Sequence, residues 1–231
     1  MPTVLLIGAS SDIGINLAIS FKEKNYHVVL GYNKHLPKLL AIDMMKCDIT
    51  KENDIDNIIK YTKEKYGNID ILINLSAIYM DNYFLNKTKE EFMRVLEVNL
   101  VGIFLCNKIY SKYISNGLII NIGSTDGLDT YNEYNIDYAI SKAGLISMSK
   151  IINDISNNRV ICICPNWVNS LSTKSMSDSF LNSELKRIGQ SRLIEVAELV
   201  SSIHKIIDNI DNSTVVYRID IKDDKIWIEK S

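Results

Sequence analysis

The chain has 231 residues, enough for one domain with a full core, and its 46% hydrophobic and 23% charged content is ordinary for a globular protein. A formal net charge of -2, with acids and bases interleaved, supplies no basic arm for nucleic acid and no cationic amphipathic end for a membrane surface. No signal-peptide pattern or membrane-length apolar run is visible, and Cys47, Cys106, Cys162 and Cys164 lack metal-ligand spacing; buried reduced thiols in a cytosolic, metal-free protein are expected.

In chain order, residues 4–8 read as a strand that runs straight into "IGASSDIG", residues 7–14, a glycine-rich turn opening a helix with Ile15, Leu17, Ala18 and Phe21. A turn in that setting aims backbone N–H groups and a helix N-terminus at a pyrophosphate. Gly8, Ser10, Ser11 and the Ile13 backbone are therefore candidate dinucleotide contacts. Asp12 is foreign to a phosphate cradle, and it is expected to be the N-cap of the helix, its carboxylate turned away from the phosphates. The strand at 27–32 ends in "GYNKH", with no acid where a ribose 2′-hydroxyl would be held. Asn33 and Lys34 offer an amide and a cation to a 2′-phosphate instead, so NADP(H) is favoured and NAD(H) is the alternative.

Strand-length apolar runs follow at 44–48, 69–74, 117–123, 159–165 and 214–221, continuous rather than alternating, as strands buried on both faces are. Between them lie helical stretches. In 90–114, Phe92, Val95, Leu96, Leu100, Ile103, Phe104 and Ile109 form one stripe behind a Thr88/Glu91 capping box. The helix at 138–152 carries the small residues Ala139, Ser141, Ala143 and Gly144. This alternation predicts an α/β, doubly wound, Rossmann-like single domain over 1–231: seven parallel strands with helices on both faces, a cofactor half at about 1–123 and a catalytic and substrate half at about 124–231. The polar, serine-rich stretch 171–193 reads as a substrate loop, and the last strand ends in a short hairpin around 222–225.

Tyr138 and Lys142 are one helical turn apart, so they share a face, and an ammonium there would favour the phenolate and bring the tyrosine toward proton donation at working pH. The Y-x-x-x-K spacing also occurs at Tyr61/Lys65 and Tyr83/Lys87. The first lies in a polar helical stretch and the second in a loop. Only Tyr138 follows a strand, "GLIINIG", whose carboxyl end presents Ser124, and ligands of open α/β sheets bind at such ends.

Taken together, "IGASSDIG", "NLSA" (74–77), "NIGSTDG" (121–127), "YAISKAG" (138–144) and "CPNWVNS" (164–170) stand in the order of the motifs of the classical short-chain dehydrogenase/reductase family, which the sequence resembles from residue 4 to about 221. It is most similar to the 3-oxoacyl-(acyl carrier protein) reductase-like members. Ile7 and Asp12 depart from the family's T-G-x-x-x-G-x-G turn, and Asn166 and Ser170 from its P-G-x-x-x-T loop, where asparagine would tolerate left-handed backbone geometry. The resemblance implies that Ser124 polarises the substrate carbonyl, Tyr138 donates the proton, Lys142 tunes it and binds ribose, and Asn99 holds a relay water. It further implies that Asp48 and Ile49 border the adenine, that Asn74 stabilises the central sheet near the cofactor while Ser76 is small enough for the cofactor's close approach, and that Pro165, Asn166 and Val168 close over the nicotinamide. The implied activity is NADP-dependent reduction of a ketone or 3-oxoacyl carbonyl, on a small substrate free or linked to a carrier or CoA. The implied assembly is a homodimer or homotetramer, the dimer through helices 90–115 and 138–156 being favoured by the atypical C-terminus. The alternatives are a non-catalytic dinucleotide-binding sensor or scaffold, and an isomerase or dehydratase on the same fold.

Overall fold

The computed structural model describes residues 1–39 and 41–230. Its elements are β1 (Thr3–Ile7), α1 (Asp12–Glu23), β2 (His27–Tyr32), β3 (Asp43–Lys46), α2 (Glu52–Tyr66) and β4 (Ile71–Asn74), then α3 (Lys89–Leu96), α4 (Ile103–Tyr113), β5 (Leu118–Ile122), α5 (Ile136–Ile155) and β6 (Arg159–Pro165), and finally α6 (Asp178–Ile188), α7 (Val196–Asp208), β7 (Val216–Lys222) and β8 (Lys225–Lys230). The strands form one sheet in the order β3-β2-β1-β4-β5-β6-β7-β8. β1 to β7 pair in parallel, and β8 returns antiparallel along β7.

Alternate side chains of a strand leave opposite faces, and here both faces are apolar. Leu5, Ile7, Val29, Leu72, Ile119 and Val160 bury against the α2, α4 and α5 side. Val4, Leu6, Leu30, Ile73, Ile120 and Ile161 bury against α1 and α7. Strand order reverses between β1 and β4, where Ile7 and Asn74 lie side by side, so a crevice opens at the carboxyl ends of these two strands. No helix among the described residues is long and apolar enough to cross a membrane. All four cysteines are free and buried.

Four expectations change. The sheet has eight strands, not seven: Asp223 and Asp224 both take positive φ (49° and 58°), the backbone that a two-residue hairpin turn requires, and this turns the chain back as β8. The helix expected over 90–114 is interrupted by a π-helical stretch, Glu97–Gly102, between α3 and α4. The stretch 171–193 contains α6, capped by the Ser177 hydroxyl at one end and by Gly189 in left-handed geometry (φ 72°) at the other. Asn166 is not among the positive-φ residues, so left-handed tolerance does not explain it. Its amide does: Nδ2 donates to Asp220 Oδ1 at 3.1 Å and Oδ1 accepts from Thr125 Oγ1 at 3.1 Å, tying the ends of β5, β6 and β7 together.

Candidate active site

At the turn between β1 and α1, Gly8 has φ 79°, and a Cβ built there would lie 2.1 Å from Ser76 Oγ, so only glycine fits between the turn and the segment leaving β4. Gly14 is equally confined, its added Cβ falling 2.5 Å from Ala9 Cα. Among the described residues the N–H groups of Ser10, Ser11 and Asp12 have no protein partner. A close-packed glycine turn with free N–H groups at a helix start fits a dinucleotide pyrophosphate.

The helix cap is Ser11, not Asp12. Ser11 Oγ accepts from Gly14 N at 3.2 Å, and Asp12 is the first helical residue. Asp12 Oδ1 accepts the Ile13 N–H at 3.1 Å, which commits the amide expected to serve the cofactor. Asp12 Oδ2 accepts from the Leu171 N–H at 2.8 Å, across the cleft. Both Ser11 and Asp12 are good caps, and sequence pattern alone does not rank two adjacent ones.

At the outer end of the crevice, Asn33 is half-buried and Lys34 exposed, just past β2. Asp48 accepts from the Thr50 backbone and hydroxyl at 3.1 and 2.8 Å; burial alone would push its carboxyl up, but these bonds hold it below the ordinary value. Ile49 is buried against Gly102. Under the crevice, Asn74 Nδ2 donates to Asn107 and Asn121 Oδ1, both at 2.8 Å, and Asn121 passes the chain on to Ser149 at 3.0 Å. Ser76 packs on Gly8. On the far wall, Pro165 ends β6, Asn166 makes the bonds described above, and Val168 is buried and bridges to Ile194.

The four expected catalytic positions converge at the carboxyl end of β5. Ser124, just past that strand, accepts from Asp126 N at 3.1 Å. Tyr138 and Lys142 lie on the first turns of α5, with the Lys142 ammonium 5.5 Å from the Tyr138 ring centre. Lys142 Nζ donates to the Ile122 carbonyl at 2.8 Å. Asn99 is in the π-helical stretch, where such bulges commonly mark functional positions. Its amide donates to the Ile78 carbonyl and accepts from the Ile78 N–H, each at 2.8 Å, and donates to Ser141 Oγ at 3.2 Å. It thus braces the segment leaving β4 against α5.

Electrostatics revise one expectation. Burial, with Asp126, raises the Tyr138 phenol above its ordinary value, and hydrogen bonding to Ser124 pulls it back only in part. Burial also pushes Lys142 down to about 8, with Cys162, Cys164 and Asp126 opposing.

Sequence reading missed three acids here. Asp126 is buried, takes hydrogen bonds from Thr130 and Asn135 at 2.7 Å each, and is raised by burial. Asp137, wholly buried beside Tyr138, pairs with Lys87 at 3.0 Å. Asp81 lies close enough to both to be affected by them. Lys87 belongs to a Y-x-x-x-K match that reads as loop, and only the fold brings it to Asp137. The Tyr61/Lys65 match is a surface contact at 3.3 Å between an exposed lysine and a half-buried tyrosine that packs against the core.

Comparison with known proteins accords with this geometry. The short chain dehydrogenase family model matches residues 2–179. Carbonyl reductase family member 4 of Xenopus laevis is 30% identical over 216 residues, covering 88% of this chain and 90% of the relative. The 3-oxoacyl-(acyl-carrier-protein) reductase of Chlamydia muridarum is 29% identical over 217 residues, covering 84% and 87%. Among solved structures, the ligand-free aldohexose dehydrogenase of Thermoplasma acidophilum superimposes with a TM-score of 0.81 at 20% identity, covering 94% of this chain and 92% of that one. An actinorhodin polyketide ketoreductase variant with NADPH gives 0.80 at 22%, covering 89% and 90%. Similarity at that level establishes the shared fold.

Proposed function

The chain belongs to the short-chain dehydrogenase/reductase family of NAD(P)-dependent oxidoreductases, and on that footing we propose that it reduces a ketone or 3-oxoacyl carbonyl with NADPH. The observation that carries this reading is the convergence of Ser124, Tyr138 and Lys142 at the carboxyl end of β5, on the same side of the parallel sheet as the glycine turn that follows β1. The relatives named as carbonyl reductase and 3-oxoacyl reductase support the substrate class, free or carrier-linked.

Residues 1–123 would hold the dinucleotide and residues 124–231 the substrate. Gly8, Ser10 and Ser11 would hold the pyrophosphate, Asn33 and Lys34 the 2′-phosphate, Asp48 and Ile49 the adenine edge, and Pro165, Asn166 and Val168 the nicotinamide side. The nicotinamide supplies the hydride when bound. Ser124 polarises the substrate carbonyl by hydrogen bonding, and Tyr138 gives its phenolic proton to the oxygen that becomes the alcohol. Lys142, held by the Ile122 carbonyl, carries a positive charge beside the phenolate this leaves. Asn99 keeps the β4 exit and α5 in register around that proton transfer. The four free, buried cysteines suit the reducing cytosol. The assembly proposed is a homodimer.

The test is stoichiometric NADPH consumption over a panel of ketones and 3-ketoesters. Tyr138→Phe is expected to lower turnover about a thousandfold with NADPH binding retained. If the variant equals wild type on every substrate, the reductase reading fails. NADPH binding without consumption would point to a sensor or scaffold, and product without consumption to an isomerase or dehydratase. Lys34→Ala is expected to weaken NADPH roughly tenfold in a fluorescence titration and leave NADH unchanged; parallel titrations for both cofactors would overturn the NADP preference.

A further inference from the structure

The phosphate turn carries an acid, Asp12, whose carboxylate is engaged by two backbone amides from different halves of the chain. One is the neighbouring Ile13 N–H; the other, 159 positions away, is the Leu171 N–H at 2.8 Å. Leu171 lies in the segment that follows β6. That segment is a compact knot: Thr173 Oγ1 donates to the Val168 carbonyl at 2.7 Å and accepts from Ser170 N at 2.9 Å, while Lys174 N donates to the Ser170 carbonyl at 3.0 Å. Asn169 ties it to the start of α7 through Glu195 at 3.0 Å. These bonds anchor the knot within the second half of the chain. Asp12 joins it to the first half, at the turn where the pyrophosphate is expected.

We propose that Asp12 is a positioning residue, a latch that holds the segment after β6 across the cleft so that a dinucleotide is enclosed between this segment and the glycine turn. The proposal rests on the dinucleotide reading given above. It also accounts for an acid where it opposes a phosphate: at the first position of α1 the carboxylate cancels part of the helix's positive end, and closure of the cleft compensates. Charge and latch therefore act in opposite directions on affinity, and a pair of variants separates them. Asp12→Asn removes the charge and keeps one carbonyl oxygen, which can accept from the Leu171 amide only by giving up the bond from the Ile13 amide. Asp12→Ala removes both.

Two readouts decide it. In the protein without cofactor, tryptic cleavage after the exposed Lys174 is expected to be roughly fivefold faster in D12A than in wild type or D12N, the effect of losing one such hydrogen bond. In stopped-flow fluorescence, NADPH is expected to leave D12A roughly fivefold faster than D12N. Equal cleavage in D12A and wild type overturns the latch. Faster cleavage with equal release overturns its role toward the dinucleotide. Failure of wild type to bind NADPH or NADH overturns the dinucleotide reading itself and the role built on it, a result distinct from either of the others.

Discussion

A lysine buried to 2% exposure and paired with a neutral carbonyl keeps its charge only at a cost, and Lys142 is pushed down to about 8 for that reason. The proton donation proposed for Tyr138 requires the phenol protonated and the ammonium charged. In the free enzyme kcat/KM for reduction is therefore expected to fall on an alkaline limb near pH 8, where Lys142 discharges and Tyr138 is still protonated. Asp126 supports the Lys142 charge, so Asp126→Asn should move that limb to lower pH. A profile flat to pH 10 in wild type, or a limb that D126N moves upward, would remove Lys142 from the reading. The stability sign is the reverse of the activity sign. Between pH 8 and the ordinary value of 10.5 the unfolded chain binds the extra proton, so this lysine destabilises the fold below 8 and the penalty lifts as pH rises through that window.

The same logic applies where two elements meet. His204 of α7 lies 2.7 Å from Ser20 Oγ of α1, its ring 4.6 Å from that of Phe21, and burial together with Lys24 holds it below its ordinary 6.5. The unfolded chain protonates first as pH falls, so the stability from burying neutral His204 is full above about 6.5 and lost below it. Thermal unfolding from pH 7.5 to 5.5 should show a decline that His204→Gln reduces; identical slopes would show that the contact is indifferent to charge. The π-helical stretch offers a second test. Asn99→Ala strips both polar groups of Ile78 of their partner, a loss of about 2 kcal/mol, or a Tm drop of about 6 °C for a chain this long. An unchanged Tm would show that Ile78 finds other partners. These two elements also mark what sequence could and could not tell. β1, β4, β5 and β6 were legible because a strand buried on both faces is apolar without interruption, and "YAISKAG" was legible because Tyr138 and Lys142 share a helical face. The π stretch was not, because it shifts the helical phase in a way the apolar spacing does not record: Val98, Asn99 and Gly102 turn inward, and Phe104, expected in the stripe of Phe92 to Ile109, is exposed. Nor were the Lys87–Asp137 pair and the Asp12–Leu171 bond, since each depends on folding across 50 or more positions, which no local pattern records.

At the scale of the molecule, two surfaces bear on the homodimer proposed above. The sheet edge beyond β7 is closed by β8, whose outer face carries Lys225 and Glu229, with Lys230 ending the strand on the other face, and charged edge strands discourage pairing with another sheet. Trp227 on β8 is exposed but has Lys222 Nζ 4.7 Å above its ring, which gives that face a cationic cover. The helical side differs. Val101, Phe104, Ile140, Ile151 and Ile155 are all exposed large apolar residues, and Phe104 and Ile155 line one groove between α4 and α5. Apolar side chains repeated along two adjacent helices suit a second copy of the same face related by a two-fold axis. Light scattering should then give twice the chain mass of 26.3 kDa rather than four times. Phe104→Glu combined with Ile151→Glu should return the mass to that of one chain, while Trp227→Ser leaves the dimer intact. A tetramer that Trp227→Ser reduces to a dimer would place the second interface on β8, and the charges along that strand would then have to pair across it.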